Sequence, residues 1–287
     1  MSALGLQIFT GITRGMNLFL LASGLSLIYG VLGVVNFAHG SFYLIGAYFC
    51  YTCAKLCPFW FAFVIAPLAV GALGIITELC LLRKVYQSEH IYQLLLTWGL
   101  VLVFGDLCKL VWGVDKKTLG LPTVLAEAMR LFGTKIPLVQ IFATLVAAIV
   151  AALLIIVLYK TRIGALIRAA AADPEVTSAL GVDTRKVYTA VFGVGCWLAG
   201  LGGAVSALLM PIYAGSDLEL VLVAFIIVVI GGMGSIIGSL VGSLITGLLY
   251  ALGILLVPRF ALAFLYVLMV GVLIIRPWGL LGRPQID

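Results

Sequence analysis

The sequence predicts an all-α membrane protein that crosses the lipid bilayer eight or nine times. Of its 287 residues, 64% are hydrophobic and 10% are charged, whereas about 25% of the residues of a soluble domain are charged. Apolar stretches of about 18 residues or more recur along the chain, and each is long enough to cross a hydrocarbon core of about 30 Å as a helix. The alternating pattern that is typical of a membrane β-barrel is not found in the sequence.

Nine apolar stretches predict the membrane segments of a single transmembrane domain, residues 1–287. They cover 6–34, 36–56, 58–82, 91–112, 138–159, 187–210, 218–232, 236–256 and 258–276. Polar residues such as Thr13 and Asn17 predict that residues 1–15 lie at the membrane surface. Segment 218–232 is too short for a full crossing, and we predict that it is re-entrant or one half of a broken helix.

Basic residues in the loops predict the orientation, because Lys and Arg accumulate on the cytoplasmic side. Loop 160–186 is the richest and contains Lys160, Arg162, Arg168, Arg185 and Lys186. Loop 83–90 and the C-terminal tail, with Arg276 and Arg283, fall on the same side by alternation, and we predict that this side is cytoplasmic. Loop 113–136 is predicted to be extracytoplasmic. The net charge of +6, without a long Lys/Arg tract, indicates contact with anionic lipid headgroups rather than with nucleic acid.

Two interruptions of the apolar pattern are candidates for a transport path. The first consists of Asn36, His39, Gly40 and Ser41. The second consists of Gly231, Gly232, Gly234 and Ser235. Paired interrupted helices in the two halves of a membrane chain are typical of a transport path. Two alternatives stay open, because the first group also suits a helix cap at the membrane surface and the glycines also suit close helix packing.

A short helix is predicted inside loop 160–186. Its signals are an N-cap, a proline at the first helical position, an acidic first turn and a glycine stop, supplied by Asp173, Pro174, Glu175 and Gly181. The helix exposes three apolar residues, Val176, Ala179 and Leu180. Because so short a helix is marginally stable alone, we predict that a partner protein orders it. The alternative is that it lies on the lipid headgroups.

Four stretches resemble, in the same order, motifs of the inner-membrane permeases of branched-chain amino acid ABC importers. YGVLGVVNFAHGSFYLIGAY (29–48) resembles their first signature, and IRAAAADPEVTSALGVDTRKV (167–187) resembles their cytoplasmic coupling loop. VIGGMGSIIGS (229–239) resembles their Gly-rich motif, and RPWGLLGRPQ (276–285) resembles their C-terminal ending. The resemblance implies that an ATPase is contacted by Arg168, Asp173, Pro174, Glu175, Val176, Leu180 and Gly181.

The resemblance also implies partners and chemistry. Family members are usually located in the bacterial inner membrane. They assemble there with a second permease, with two cytoplasmic ATPase subunits and with a periplasmic solute-binding protein. A related second permease is favoured over an identical one. No nucleotide-binding loop of the form GxxxxGK[ST] occurs, so we expect this chain to bind no cofactor and to be no enzyme, with ATP and Mg²⁺ on the ATPase partners. The expected activity is ATP-driven, alternating-access uptake of a small polar or amphipathic solute, with an amino acid or related carboxylate favoured.

Some residues depart from this pattern or favour an alternative. Ser41 stands where many relatives of this branch have Glu, which removes a carboxylate from the predicted path and leaves the cargo open. Asp106 and Lys109, three residues apart in one segment, favour an ion-coupled secondary transporter or a channel as the alternative function. Glu78 is predicted to be an interfacial residue. A lipid-modifying enzyme has the least support, because no catalytic motif is found.

Three cysteines, Cys50, Cys53 and Cys57, fall near one face of a helix. A metal site is the functional interpretation of this spacing, but neither a His nor a carboxylate accompanies the cluster. Cysteine also behaves as a small apolar residue that is readily buried. We therefore predict a packing role for these three side chains.

Overall fold

A computed structural model describes residues 2–86, 88–131 and 134–282. The helices of this part are α1 (Ser2–Leu32), α2 (His39–Leu56), α3 (Phe59–Cys80), α4 (His90–Trp112), α5 (Thr123–Ala126), α6 (Leu138–Lys160), α7 (Arg162–Ala172), α8 (Pro174–Ala179), α9 (Thr184–Leu209), α10 (Ser216–Gly231), α11 (Ile236–Leu256) and α12 (Ala261–Ile275). Strands β1 (Ala128–Leu131) and β2 (Thr134–Pro137) form an antiparallel hairpin, and one-turn 3-10 helices cover Leu82–Lys84 and Pro258–Phe260. The all-α membrane fold class is confirmed.

Each of the nine predicted membrane segments coincides with one helix, and the ends differ by a few residues. In the part of the chain that the structure describes, seven helical segments are long and apolar enough to cross a membrane. They contain α1, α3, α4, α6, α9, α11 and α12. The remaining two are α2, with 18 residues, and α10, with only 16. The predicted count of eight or nine is therefore a fair approximation of a bundle in which two segments are short.

The N-terminal part of α1 is a continuous helix that packs against its neighbours. The helix begins at Ser2 and continues without a break for 31 residues. Thr13 and Asn17 are buried in the bundle, where their side chains bond to Thr144 at 2.9 Å and to Tyr43 at 3.1 Å. Polar side chains are tolerated inside a membrane bundle when they bond to one another. The predicted position of residues 1–15 at the membrane surface stays a prediction.

Glycines set the directions of the central helices. Gly11 lies against Gly247 and Gly30 lies against Gly234, so α1 and α11 run antiparallel with their backbones in close contact. The beginning of α1 therefore lies beside the end of α11. The close approach is what small residues allow at helix interfaces in membranes.

The loops divide between two ends of the bundle. The chain passes through 83–90 and 160–186 at one end, which we call the basic end. Loop 113–136 lies at the opposite end, where Lys117 bonds through its backbone to Ile212. This loop contains α5 and the hairpin, which sequence patterning did not predict. Arg283, predicted at the basic end, lies outside the described residues.

Helix α9 forms the centre of the bundle and packs against α1, α2 and α3. Gly46 of α2 lies against Gly200 of α9, and a Cβ built on Gly203 overlaps the carbonyl oxygen of Tyr43. The atoms that obstruct these positions belong to the backbone. They have little freedom to move aside, so the α2–α9 crossing requires glycine there.

This crossing gives a first testable prediction. We expect Gly203→Leu to lower the free energy of unfolding by about 3 kcal/mol, at the upper end of the range for overpacked cores. Gly99→Leu in α4 is the matched control, because no described atom outside the neighbouring residues and backbone of α4 lies within 4 Å of a Cβ at that position. Thermal unfolding in detergent measures both variants, and equal stability of the two would contradict the packing of α2 on α9.

Candidate functional site

The short helix predicted in loop 160–186 is present as α8. The Asp173 carboxylate accepts hydrogen bonds from the backbone N–H groups of Glu175 at 3.0 Å and Val176 at 2.9 Å. Pro174 occupies the first helical position, and Gly181 has a φ of +88° just after the helix. These are the N-cap and C-terminal geometries that the sequence predicts. The start, the end and the capping residues of the helix are thus confirmed.

The apolar side chains of α8 are open to solvent. Val176 is 56% exposed and Leu180 is 80% exposed, while Thr177 between them is buried against the bundle. Burying a Leu side chain stabilises a protein by about 1.5–3 kcal/mol. The isolated chain forgoes this stabilisation at α8, and a partner that covers these side chains would supply it. The surface formed by Val176, Ala179 and Leu180 is called the α8 face below.

A second helix in the loop, α7, was not predicted. It begins at the N-cap Thr161, whose hydroxyl accepts a hydrogen bond from the backbone N–H of Gly164 at 3.2 Å. Arg168 lies in α7 and donates to the carbonyl oxygen of Leu158, at the end of α6. Arg168 therefore fixes α7 to a membrane helix. The Thr161 cap is the signal that sequence reasoning missed.

A cavity of about 520 Å³ lies beside α8 at the basic end, and its lining includes Glu78, Arg83, Lys84, Pro174 and Arg185. Its wall is a hydrogen-bonded cluster around Glu78, which is fully buried. Arg83 donates to both carboxylate oxygens at 3.2 Å, and Thr189 of α9 donates to one of them at 2.9 Å. The cluster joins the end of α3 to the beginning of α9. Glu78 is therefore a structural residue near the end of α3, and its predicted position at the membrane interface stays a prediction.

Tyr86 completes the cluster. Burial, followed by the charge of Glu78, raises the pKa of the Tyr86 hydroxyl far above its usual range. The hydroxyl therefore remains protonated, and it donates to the Glu78 carboxylate at 3.2 Å. Three side chains thus donate to one buried carboxylate, which is the arrangement that stabilises a charge away from water.

The first polar interruption lies deep inside the bundle. Residues 33–36 have no regular structure, a turn follows at 37–38, and α2 begins at His39. Asn36 and His39 are fully buried and Ser41 is 1% exposed. The side chains of His39 and Ser41 bond to Leu21 and Asp217, and that of Asn36 has no partner among the described residues, so none of the three caps α2. The depth of this turn in the membrane stays a prediction.

Several polar atoms in this region have no partner among the described residues. His39 Nε2 lies 3.1 Å from the carbonyl oxygen of Leu21, so this nitrogen carries the proton and donates it. His39 Nδ1 is then an acceptor without a partner, and both amide atoms of Asn36 are also unpaired. Buried polar groups normally have partners. Unpaired donors and acceptors at the start of α2 are suited to bind a polar solute or water.

Ser41 faces a carboxylate. Its hydroxyl donates to Asp217 of α10 at 2.9 Å, and Asp217 is only 3% exposed. A Cβ on Gly40 would overlap the carbonyl oxygen of Asp217, so glycine at position 40 allows α10 to approach. The carboxylate that the sequence lacks at position 41 is therefore present nearby on another helix. Sequence reasoning missed Asp217, although an acidic residue at the edge of an apolar segment is a recognised functional signal.

The second interruption lies at the basic end. Gly232 has a φ of +103°, and a Cβ built there would lie within 3 Å of the Gly282 backbone. Ser235 caps α11 by accepting from the N–H of Gly238 at 3.0 Å. The backbone N–H groups of Leu280 and Leu281 bond to α10 at Ile230 and Gly231.

The two interruptions do not form one hydrogen-bonded site. No hydrogen bond between described residues links 231–235 to Asn36, His39 or Ser41. The contacts of Gly231, Gly232, Gly234 and Ser235 are packing and capping contacts. Their assignment to a transport path stays a prediction.

The cysteine group is spread over one helix and the turn after it. Cys50 is buried, whereas Cys53 and Cys57 are partly exposed, and the Cys57 thiol donates to the carbonyl of Cys53 at 3.1 Å. Within the described ranges, no three His, Cys, Asp or Glu side chains come together as a possible metal site.

Comparison with known proteins connects these features to one family. The sequence profile described as branched-chain amino acid transport system / permease component matches residues 7–273. The chain is 28% identical to the high-affinity branched-chain amino acid transport system permease protein BraD of Pseudomonas aeruginosa, over 98% of this chain and 96% of that protein. It is 28% identical to the corresponding protein LivH of Salmonella typhimurium, with the same coverage.

A more distant relative is the probable branched-chain amino acid transport permease protein LivH of Methanocaldococcus jannaschii, which is 27% identical over 92% of this chain and 88% of that protein. No solved structure matches the chain. The family profile and these relatives span nearly all of the membrane helices described above. The chain therefore belongs to the family of permease components of branched-chain amino acid transport systems.

Proposed function

We propose that this chain is the membrane subunit of an ATP-driven importer that moves an amino acid or a related carboxylate across the bacterial inner membrane by alternating access. Its partners are a second permease subunit, with a related chain favoured over an identical one, two cytoplasmic ATPase subunits and a solute-binding protein on the opposite side. Family membership supports a transport role.

The observation that carries the proposal is the α8 face. It lies between membrane helices α6 and α9, at the end of the bundle where basic residues concentrate. Its exposed Val176 and Leu180 are suited to a groove on a cytoplasmic ATPase. Because Asp173 and Gly181 fix the two ends of α8, the helix is held ready for docking.

The contacts behind α8 suggest how movement reaches the membrane. Pro174 of α8 lines the same cavity as Glu78 and Arg83, and the Glu78 carboxylate bonds to Thr189 of α9. A displacement of α8 by the ATPase is then passed to α3 and α9 together. Helix α9 packs against α2, whose first turn carries the buried polar groups at His39 and Ser41.

An ion-coupled carrier is the second candidate. The observation in its favour is the pair of Asp106 and Lys109 in α4, whose side chains are bonded at 2.9 Å. Such a carrier needs no ATPase and therefore leaves the exposed α8 face without a use, so the importer is favoured.

One experiment separates the two candidates. The chain is reconstituted in vesicles with the second permease, the ATPase subunits and the binding protein, and uptake of radiolabelled amino acids is measured. The proposal predicts uptake that requires ATP on the side of the ATPase and no ion gradient. Uptake that is driven by a proton or sodium gradient, without the ATPase, would refute it.

The contact between Ser41 and Asp217 gives a second testable prediction. Ser41→Ala leaves a buried carboxylate without its donor, and we expect a loss of about 1–3 kcal/mol in the free energy of unfolding. Asp217→Asn removes the charge, so the Ser41→Ala change should cost much less in an Asp217→Asn background. The buried Ser243, whose hydroxyl donates to the carbonyl oxygen of Leu240 in its own helix, supplies the control Ser243→Ala. Additive effects of the two changes would contradict the contact.

A further inference from the structure

The outward face of α4 carries an ion pair. Asp106 and Lys109 are bonded at 2.9 Å, and their side chains are 78% and 49% exposed. Their neighbours on the helix, such as Leu102 and Leu107, are large, apolar and about half exposed. The face therefore combines the apolar surface of a membrane helix with two charges.

The depth of Asp106 matters because charged groups are costly in hydrocarbon. Helix α4 has 23 residues, so at 1.5 Å per residue it is about 35 Å long, close to the length that the bilayer core requires. Asp106 lies six residues before Trp112 at its end, or about 9 Å along the axis. A lysine at position 109 is long enough to extend to the membrane surface, whereas the short Asp106 side chain is not. The Lys109 ammonium is instead bonded to Asp106.

A second carboxylate lies behind the same edge of α4. Among the described residues, and leaving aside the neighbouring residues and backbone of α4 itself, one heavy atom lies within 4 Å of a Cβ built on Gly105. It is Oδ2 of Asp217, at 3.9 Å. Because Gly105 has no side chain, the Asp217 carboxylate lies close to α4 beside the residue that precedes Asp106. Three ionisable side chains from α4 and α10 thus gather in the same half of the bundle. Ionisable residues in membrane segments almost always face the bundle interior or a water-filled cavity.

We propose that the face of α4 with Leu102, Asp106 and Lys109 lines a hydrated space at the interface with the second permease subunit and does not contact lipid. The inference rests on the proposed function, because that function supplies the second subunit. Helix α12 offers the contrast, since its outward residues, among them Val267 and Val270, are apolar and exposed.

Cysteine labelling tests this assignment in the assembled complex. The accessible cysteines Cys53, Cys57 and Cys80 are first replaced by alanine, and single cysteines are then introduced. Asp106→Cys is matched with Val267→Cys. Asp106 lies six residues before the last residue of α4, and Val267 lies six residues after the first residue of α12, at the same side of the bundle. Leu102→Cys, which keeps the ion pair, is matched with Val270→Cys, because the two positions lie ten and nine residues from the same two helix ends.

The reagent is a charged, membrane-impermeant thiol probe added to vesicles that contain the complex. We expect the cysteines at 102 and 106 to react roughly tenfold faster than those at 267 and 270, which face lipid and exclude a charged probe. Faster reaction at 267, equal rates at both helices, or no reaction at 102 and 106 would each overturn the assignment.

Co-purification separates failure of this inference from failure of the proposed function. The tagged chain is isolated from membranes that also contain the second permease and the ATPase subunits. If the complex is isolated and takes up solute with ATP, an adverse labelling pattern refutes only the role of α4. If no complex forms and uptake needs no ATPase, the proposed function itself fails.

Discussion

Replacing Leu180 with aspartate should reduce ATP-driven uptake to a few per cent of the original rate while the protein still folds and inserts. The side chain is 80% exposed, so it contributes little to the isolated chain. If α8 docks into an ATPase groove, the change removes about 1.5–3 kcal/mol of apolar burial, which weakens docking roughly 10- to 100-fold. The buried charge weakens it further. Uptake and ATP hydrolysis are measured together in reconstituted vesicles, and we expect hydrolysis to become independent of solute.

Ser178→Asp is the matched control for this prediction. Ser178 is exposed and lies on the side of α8 opposite Leu180. The Ser178→Asp substitution therefore adds the same charge to the same helix, but outside the α8 face. We expect the control to transport at close to the original rate. Equal loss in both variants would show that general damage to the loop, and not the apolar contact, is responsible.

Glu78→Ala should be the most destabilising single change at the basic end. The carboxylate is fully buried and accepts hydrogen bonds from Arg83, Tyr86 and Thr189. Removal of one partner of a buried ion pair costs about 3–5 kcal/mol. We expect a value near 3 kcal/mol, because Arg83 is 36% exposed and is rehydrated in the variant. Thermal unfolding in detergent measures the loss, and uptake should fall with it.

Two comparisons show whether the buried network is the cause. Glu78→Gln keeps the shape and an acceptor but removes the charge, so we expect an intermediate loss of stability. Glu89→Ala changes an exposed acid near the same turn and should be close to neutral, as most surface changes are. A Glu78→Ala variant as stable as Glu89→Ala would mean that the cluster does not hold α3 to α9.

The membrane helices were predictable because length and hydropathy alone determine them. In lipid every backbone polar group must be satisfied within the segment, so a long apolar stretch has few alternatives to a helix. Helix α8 was predictable for a different reason, because Asp173, Pro174 and Gly181 are local signals whose geometry depends only on near neighbours. The hairpin of β1 and β2 lacked any such signal.

The long-range polar contacts were not predictable from one sequence. Ser41 and Asp217 are 176 positions apart, and Glu78 and Thr189 are 111 apart. Nothing in the periodicity of either segment indicates which residue of another helix it faces. Thr13 and Asn17 show the same limit, since nothing in their own segment indicates that they bond to partners on α6 and α2. Packing decides these positions, and packing is a property of the whole bundle.

The central claim, that α8 is where an ATPase engages the membrane subunit, has a direct test. A photo-crosslinking amino acid is placed at position 180 in the assembled complex, and the crosslinked product is identified after irradiation. The account predicts a product that joins this chain to the ATPase subunit and a label accessible only from the cytoplasmic side. A crosslink to the solute-binding protein would contradict this account. So would labelling of position 180 by a membrane-impermeant reagent that is added outside the cell.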